Sequence, residues 1–361
     1  MIISPASIYH FILGLPSNVN NKILKDLKRN LDSLEFSPLF TENPKNNFVK
    51  VVNSDIEYLF KQPKLSISEQ SWMITIEADF YREFKNKTFV IESFFYNNTS
   101  KTLVFPFLED LGFEDENLGN QLREFHDEMT LRKRSNKFFL KKSILNNGTP
   151  YQRFVDILKS TFNSRLTLND TLYKVKLSGE DLEKQELIID FLFERKNKEF
   201  FIDFIAKTKE HKSHIIHGDM RIENIIFLEN NTKKIIDFEL ICEGDPLWDV
   251  AKLIDSILSQ KAFRQFNIAV FEKKFTYLLN FLKHYWNVNE LSSKKQEIQC
   301  IVNYWALVKT LNLFYSSYDF LIKDITVVKR FIHDGDKLCQ DIIDEKLNDS
   351  SFFFAKGCKY I

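Results

Sequence analysis

The sequence predicts an α+β chain of two lobes, a smaller strand-rich one followed by a larger and mostly helical one. Three observations carry this. At 361 residues the chain exceeds the size at which one hydrophobic core usually stops growing, so two packed bodies are expected. Strand and turn signals crowd the first hundred residues, with helical spacing in their midst. From Asn117 onward apolar residues recur mostly at helical spacing, interrupted by one short strand-rich stretch. Placing the boundary at the exit from the last early strand gives an N-lobe over residues 1–106 and a C-lobe over residues 107–361.

The early elements follow from local pattern. Ser33 to Thr41 and Asn47 to Val52 read as two strands around the turn Glu42 to Asn47. Asn20 to Leu31 reads as a short helix. Ser68 to Phe84 is a helix with Ile74, Ala78 and Tyr81 on one stripe. Thr88 to Tyr96 and Thr102 to Phe107 are strand-like on either side of Asn97 to Lys101. In the later part Leu118 to Thr130 is helical, and Glu183 to His211 holds one or two helices, with a loop at Gly148 and Pro150 before them. The strand-rich interruption contains His214 to His217, then Ile225 to Leu228 and Lys234 to Phe238 around the turn Glu229 to Thr232. After Pro246 the chain returns to helix, with long amphipathic stretches around Phe271 to Tyr285 and Val302 to Leu313.

Composition excludes several classes. Hydrophobic residues make up 44% and charged residues 28%, as in soluble globular proteins. Fifty basic residues balance fifty acidic ones, so a surface built to grip nucleic acid is not expected. Four scattered cysteines without a CxxC pair argue against a zinc site or disulfide framework and fit a reducing cytosol. No apolar run reaches the roughly 20 residues of a transmembrane helix, and the first residues lack a basic region, so a signal peptide is not expected either. A cytoplasmic protein is the expectation. The nine glycines stand at neither G-x-G-x-x-G nor G-x-x-x-x-G-K-[ST] spacing, which disfavours a dinucleotide fold or a P-loop.

The chemistry concentrates between His214 and Leu253. His217-x-Asp219 is followed by Asn224, and Asp237 comes after the strand pair. This is the spacing of a phosphoryl-transfer site: a carboxylate for the acceptor hydroxyl proton, then two hard oxygen ligands for Mg²⁺. His217 by itself reads as a loop-packing residue rather than a base.

The residues His217-Gly-Asp-Met-Arg-Ile-Glu-Asn224, Ile235-Ile-Asp-Phe-Glu239 and Gly244-Asp-Pro-Leu-Trp-Asp-Val-Ala-Lys-Leu253 resemble the aminoglycoside phosphotransferase and choline kinase family, the small-molecule kinases of the protein-kinase-like fold. The resemblance implies a bilobal kinase fold and a phosphotransferase that uses ATP, with GTP left open, and Mg²⁺. The acceptor it implies is a small-molecule hydroxyl, with a sugar or an amino alcohol as the expected class. By position, Asp219 resembles the catalytic base, and Asn224 and Asp237 the magnesium ligands. Arg221 stands where protein kinases carry a lysine near the transferred phosphate, and reads equally as a surface arginine. Asp249 resembles an aspartate that braces the catalytic loop, or else a helix N-terminal charge. Protein kinases would instead show His-Arg-Asp, Asp-Phe-Gly and Ala-Pro-Glu.

On the nucleotide side, Phe48-Val-Lys-Val-Val52 resembles the strand whose lysine holds the α- and β-phosphates. Lys50 is assigned that role, with Glu77 as ion-pair partner and Glu69 or Glu83 in reserve; an edge-strand lysine facing water is the plainer alternative. Val104 to Glu109 resembles the adenine-facing hinge, with backbone groups at Pro106 and Phe107. The family's small-residue phosphate loop usually lies about 20 residues before the lysine, whereas Gly14 to Asn18, the one candidate, stands much farther from Lys50. Basic and acidic residues nearly balance from Ile241 to Ile361, which does not favour polycationic aminoglycosides. Trp305, Phe314, Tyr315 and Tyr318 read as a choline-type aromatic cage, as a platform that stacks on a sugar, or, at helical spacing, as core. A nucleotide-binding pseudokinase and a protein kinase are the alternative functions. The oligomeric state and the acceptor are left undecided.

Overall fold

In the computed structural model the described residues are 4–15, 21–39, 46–53, 56–63, 68–110, 117–133, 179–207, 214–229, 232–259, 268–314 and 316–346. They form two compact units. One comprises Met1–Phe113 and Glu223–Ile241, and the other Glu114–Ile222 and Cys242–Ile361. A single cut after residue 106 therefore misplaces 223–241, which packs with the first unit. The loop read at Gly148 and Pro150 lies outside the described residues.

The first unit is built on an antiparallel sheet of order β1-β2-β3-β5-β4, from Glu35–Leu39, Asn46–Val52, Glu57–Pro63, Thr102–Pro106 and Phe95–Asn97. Side chains alternate across it with the period of two that strands impose. Val49, Val51, Tyr58 and Phe60 face helices α1 (Pro5–Leu13) and α2 (Lys22–Arg29), forming a core with Ile8, Ile12, Ile23, Leu24 and Leu27. Ser4 starts α1 through a reciprocal bond with Ser7, ahead of Pro5 at the first helical turn. The expected helix at Asn20 to Leu31 is α2, capped by the Asn21 side chain.

Two expectations are corrected here. Strand β3 was not anticipated, although Tyr58 and Phe60 alternate with polar and apolar neighbours in Glu57–Pro63. Its register pairs Lys61 with Phe48 and Lys50 with Leu59. Residues 88–94 were expected to be strand, yet only Phe95–Asn97 pairs in the sheet. The Phe89 carbonyl instead accepts the Ile235 N–H at 2.8 Å, and the Thr88 carbonyl accepts Lys234 Nζ at 2.8 Å. The hairpin of β7 (Ile225–Phe227) and β8 (Lys233–Ile235) is thereby joined to the rest of its unit. Helix α3 (Ser68–Phe84) packs Phe80 against Phe238, with ring centroids 3.9 Å apart.

In the second unit, α4 (Leu118–Lys133), α5 (Gly179–Phe193) and α6 (Arg195–Lys207) precede β6 (His214–Ile216). Strand β6 pairs antiparallel with β9 (Cys242–Gly244). Helix α7 (Pro246–Leu258) follows, started by Asp245 and Pro246, and then α8 (Ile268–Trp286), α9 (Lys295–Leu313), α10 (Tyr318–His333) and α11 (Gly335–Ile343). Helix α9 is tied to α7 at Asp255, which accepts from Trp305 Nε1 and Asn312 Nδ2, both at 2.9 Å. Trp305 is therefore core and Tyr318 is exposed, while Tyr315 lies outside the described residues. No helix among the described residues is long and apolar enough to cross a membrane. Cys242, Cys300 and Cys339 are free thiols.

Gly119 is where α4 meets α8 most closely: a Cβ there would lie 2.8 Å from the Tyr285 nitrogen. Gly119→Ala should lower stability by about 1–3 kcal/mol, because two backbones must part to admit one methyl group. Urea denaturation of the variant against wild type measures it.

Candidate active site

The face of β3 opposite Tyr58 and Phe60 carries a buried charge at Lys61. Lys61 is 2% exposed, and a bare ammonium there would be prohibitive without anions. Its Nζ meets Glu77 Oε2 of α3 at 2.7 Å, Asp237 Oδ1, and Glu239 Oε2 at 3.5 Å. Burial acts to lower the Lys61 pKa, but Asp237, Glu77 and Glu239 together hold it well above the usual lysine value. Burial pushes the Glu77 carboxyl up to about 7, against the pull of Lys61. Tyr81 donates to the other Glu77 oxygen at 3.2 Å, and Asn46 donates to Glu239 at 3.3 Å. The carboxylate oxygens of Glu77, Asp237 and Glu239 lie within 4.8 Å of one another. Three carboxylates around one ammonium leave a local excess of hard, anionic oxygen, the chemistry that suits a small divalent cation.

Asn224 and Asp237 belong to the same unit and are brought together in it. The N–H of Ile236, immediately before Asp237, donates to the Asn224 carbonyl at 2.9 Å. Asp237 itself takes the left-handed conformation, φ 64° and ψ 49°, which aspartate tolerates better than most residues. The Asn224 bond on one side and the stacking of Phe238 on Phe80 on the other hold it there.

The expected pairing of Lys50 with Glu77 is not what the structure shows. Lys50 lies one strand over, pairs with Glu57 at 3.0 Å, and places its Nζ 3.8 Å from the centre of the Phe107 ring. Its side chain is 23% exposed, against 3% for Lys61. The lysine was sought in the more obviously apolar strand, Phe48 to Val52, and the partner strand was missed. The hinge assignment is narrowed as well. Pro106 has no N–H to offer, and the Phe107 N–H already donates to the Glu57 carbonyl at 2.9 Å. Of Gly14 to Asn18, only the start is described: Gly14 ends α1 by donating to His10.

In the second unit the loop from His217 to Met220 is held from α7. Asp249, fully buried, accepts the N–H groups of His217 at 2.7 Å and Gly218 at 2.9 Å, and His126 Nε2 lies 3.2 Å from it. Gly218 takes φ 81°, open to glycine without a Cβ penalty. Trp248 Nε1 donates to the Gly218 carbonyl at 3.0 Å. Asp249 thus makes loop-bracing contacts, and His217 is a buried packing residue whose Nδ1 accepts the Asp219 N–H at 3.3 Å. Asp219 is ion-paired to Lys252 of α7, a partner the sequence did not suggest. Burial acts to raise its carboxyl, yet Lys252, Arg221 and His217 hold it below the usual carboxylate range. Arg221 is exposed.

Asp249→Ala would strand two buried N–H groups at about 1–3 kcal/mol each. A loss of about 2–5 kcal/mol in urea denaturation is expected, with Asp249→Asn falling between the two.

Residues 115–278 match the model of the phosphotransferase enzyme family. No curated protein sequence matches the chain. Among solved structures, the Plasmodium vivax ethanolamine kinase is 17% identical, with a TM-score of 0.52 over 96% of each chain. The choline kinase of Cryptosporidium parvum Iowa II is 12% identical, with a TM-score of 0.53 over 97% of this chain and 99% of that one. The amicoumacin kinase hAmiN, solved with AMP-PNP, Ca²⁺ and amicoumacin, is 13% identical, with a TM-score of 0.54 over 87% and 90%. At such identities the likeness is one of fold, and that fold is protein-kinase-like. The matched segment contains the loop and strand pair that carried the resemblance. The comparisons thus give a phosphotransferase family match over residues 115–278 and a protein-kinase-like fold over most of the chain.

Proposed function

We propose that the chain transfers the γ-phosphoryl group of ATP, with Mg²⁺, to a hydroxyl of a small molecule, a sugar or an amino alcohol. The observation that carries this is the buried Lys61 ammonium among Glu77, Asp237 and Glu239, beside the backbone bond that joins Asn224 to Ile236. A lysine so placed is a fixed, desolvated charge suited to the α- and β-phosphates. We assign Lys61 that role, in place of Lys50, with Glu77 as its positioning partner.

Asn224 and Asp237 would hold the metal, as the hard oxygens around Lys61 fit it, and the metal when bound neutralises phosphate charge. Asp219, held ionised at neutral pH, accepts the proton of the attacking hydroxyl. Arg221 steadies the transferred group. Structural neighbours named as ethanolamine and choline kinases support an amino alcohol, and the balanced charge of the last third does not favour a polycation.

A phosphorylation screen with sugars, amino alcohols and aminoglycosides, run with Mg²⁺ and ATP or GTP, tests this. Transfer to one acceptor class, lost with EDTA, is expected. Bound nucleotide with no transfer to any acceptor would instead mark a nucleotide-binding regulator. Asp219→Asn should lower kcat by at least about a hundredfold with nucleotide affinity kept.

Lys61→Met should lower kcat/KM for ATP by about a hundredfold or more. Lys50→Met should keep it within about threefold, as expected for a partly exposed ion pair. The reverse order in steady-state kinetics would return the role to Lys50.

A further inference from the structure

Helix α7 reaches the catalytic-loop segment at two points. Asp249 holds the backbone of His217 and Gly218, and Lys252, three residues on, meets the Asp219 side chain. Residues three apart share one helix face, so backbone and side chain of the loop are fixed from one rigid element. The Lys252 Nζ lies 5.9 Å from the centre of the Trp248 ring. That ring is fully buried and donates to Gly218. The pair is partly shielded, with side chains 17% and 25% exposed, so solvent screens it less than an ordinary surface pair.

We propose that Lys252 is the positioning residue for Asp219, the cation that fixes the orientation of its carboxylate toward the acceptor hydroxyl. This rests on the assignment of Asp219 as the base. In the transfer, the hydroxyl proton passes to Asp219 as the acceptor oxygen bonds to the γ-phosphorus. The bond from that phosphorus to the β,γ-bridging oxygen breaks, and its electron pair leaves with ADP. Lys252 keeps its protons throughout and acts on the aim and charge of the carboxylate. Among the described residues, the strongest other charged influences on Asp219 are Arg221 and His217, both from its own loop.

The test compares wild type, Lys252→Gln, Lys252→Arg and Asp219→Asn in Mg²⁺-ATP hydrolysis with water as acceptor, and in ¹³C NMR titration of the Asp219 carboxyl assigned by its loss in Asp219→Asn. Lys252→Gln should lower kcat at least about tenfold with KM for ATP little changed. Its acidic limb and the carboxyl titration should both rise by about one pH unit or more, because burial then acts with less opposition. Lys252→Arg should restore both toward wild type. An unmoved carboxyl titration in Lys252→Gln overturns the proposal while leaving the base assignment intact. An Asp219→Asn enzyme as active as wild type overturns that assignment, and the positioning role with it.

Discussion

One buried ammonium organises the first unit. Lys61 has lost almost all contact with water, and desolvation of that size is offset only by the carboxylates that surround it. The carboxylates come from two separate pieces of chain: Glu77 from α3, and Asp237 and Glu239 from the turn after β8. The charge cluster therefore dictates how strand, helix and hairpin are packed. The apolar contacts around it, Phe80 and Tyr81 against Phe238, keep α3 and the hairpin in register. An excess of carboxylate over ammonium costs stability, and such an excess is what a site for a metal and phosphates needs.

The second unit holds its loop differently. There the constraint is backbone satisfaction rather than charge burial. Asp249 answers two N–H groups that the left-handed turn at Gly218 leaves pointing inward, and Trp248 answers the carbonyl. Helix α7 is in turn fixed to α9 through Asp255 and through the Tyr304 hydroxyl, which donates to Asp245 at 3.0 Å. A rigid support of this kind holds a carboxylate such as Asp219 more exactly than a free loop would.

Much of this was legible in the residues. The segment from His214 to Leu253 combines rare spacing with strand-forming neighbours, so its loop, hairpin and following helix were all found. Long helices such as α8 and α9 declared themselves by period. Strand β3 did not, because Lys61, Gln62 and Pro63 break the apolar look of its second half, and polar residues buried for a charge cluster mimic a surface. With β3 unread, the expected phosphate lysine falls on Lys50, whose apolar flanks Val49 and Val51 pack against α1 and α2. Residues 88–94 looked like strand because Val90 and Ile91 are buried, but they are buried in a loop whose carbonyls serve the β8 side. Lys252 was invisible because its partner lies 33 positions away in sequence, and nothing local marks an ion pair of that range.

The central claim, that Lys61 rather than Lys50 meets the nucleotide phosphates, is tested most directly by affinity labelling. An adenosine derivative bearing a sulfonyl fluoride in place of its phosphates reacts with the lysine that lies along the phosphate path. Peptide mass spectrometry of the labelled chain should find the adduct on Lys61 and find it suppressed by Mg²⁺-ATP. An ATP-protected adduct on Lys50, with Lys61 unmodified, would contradict the assignment.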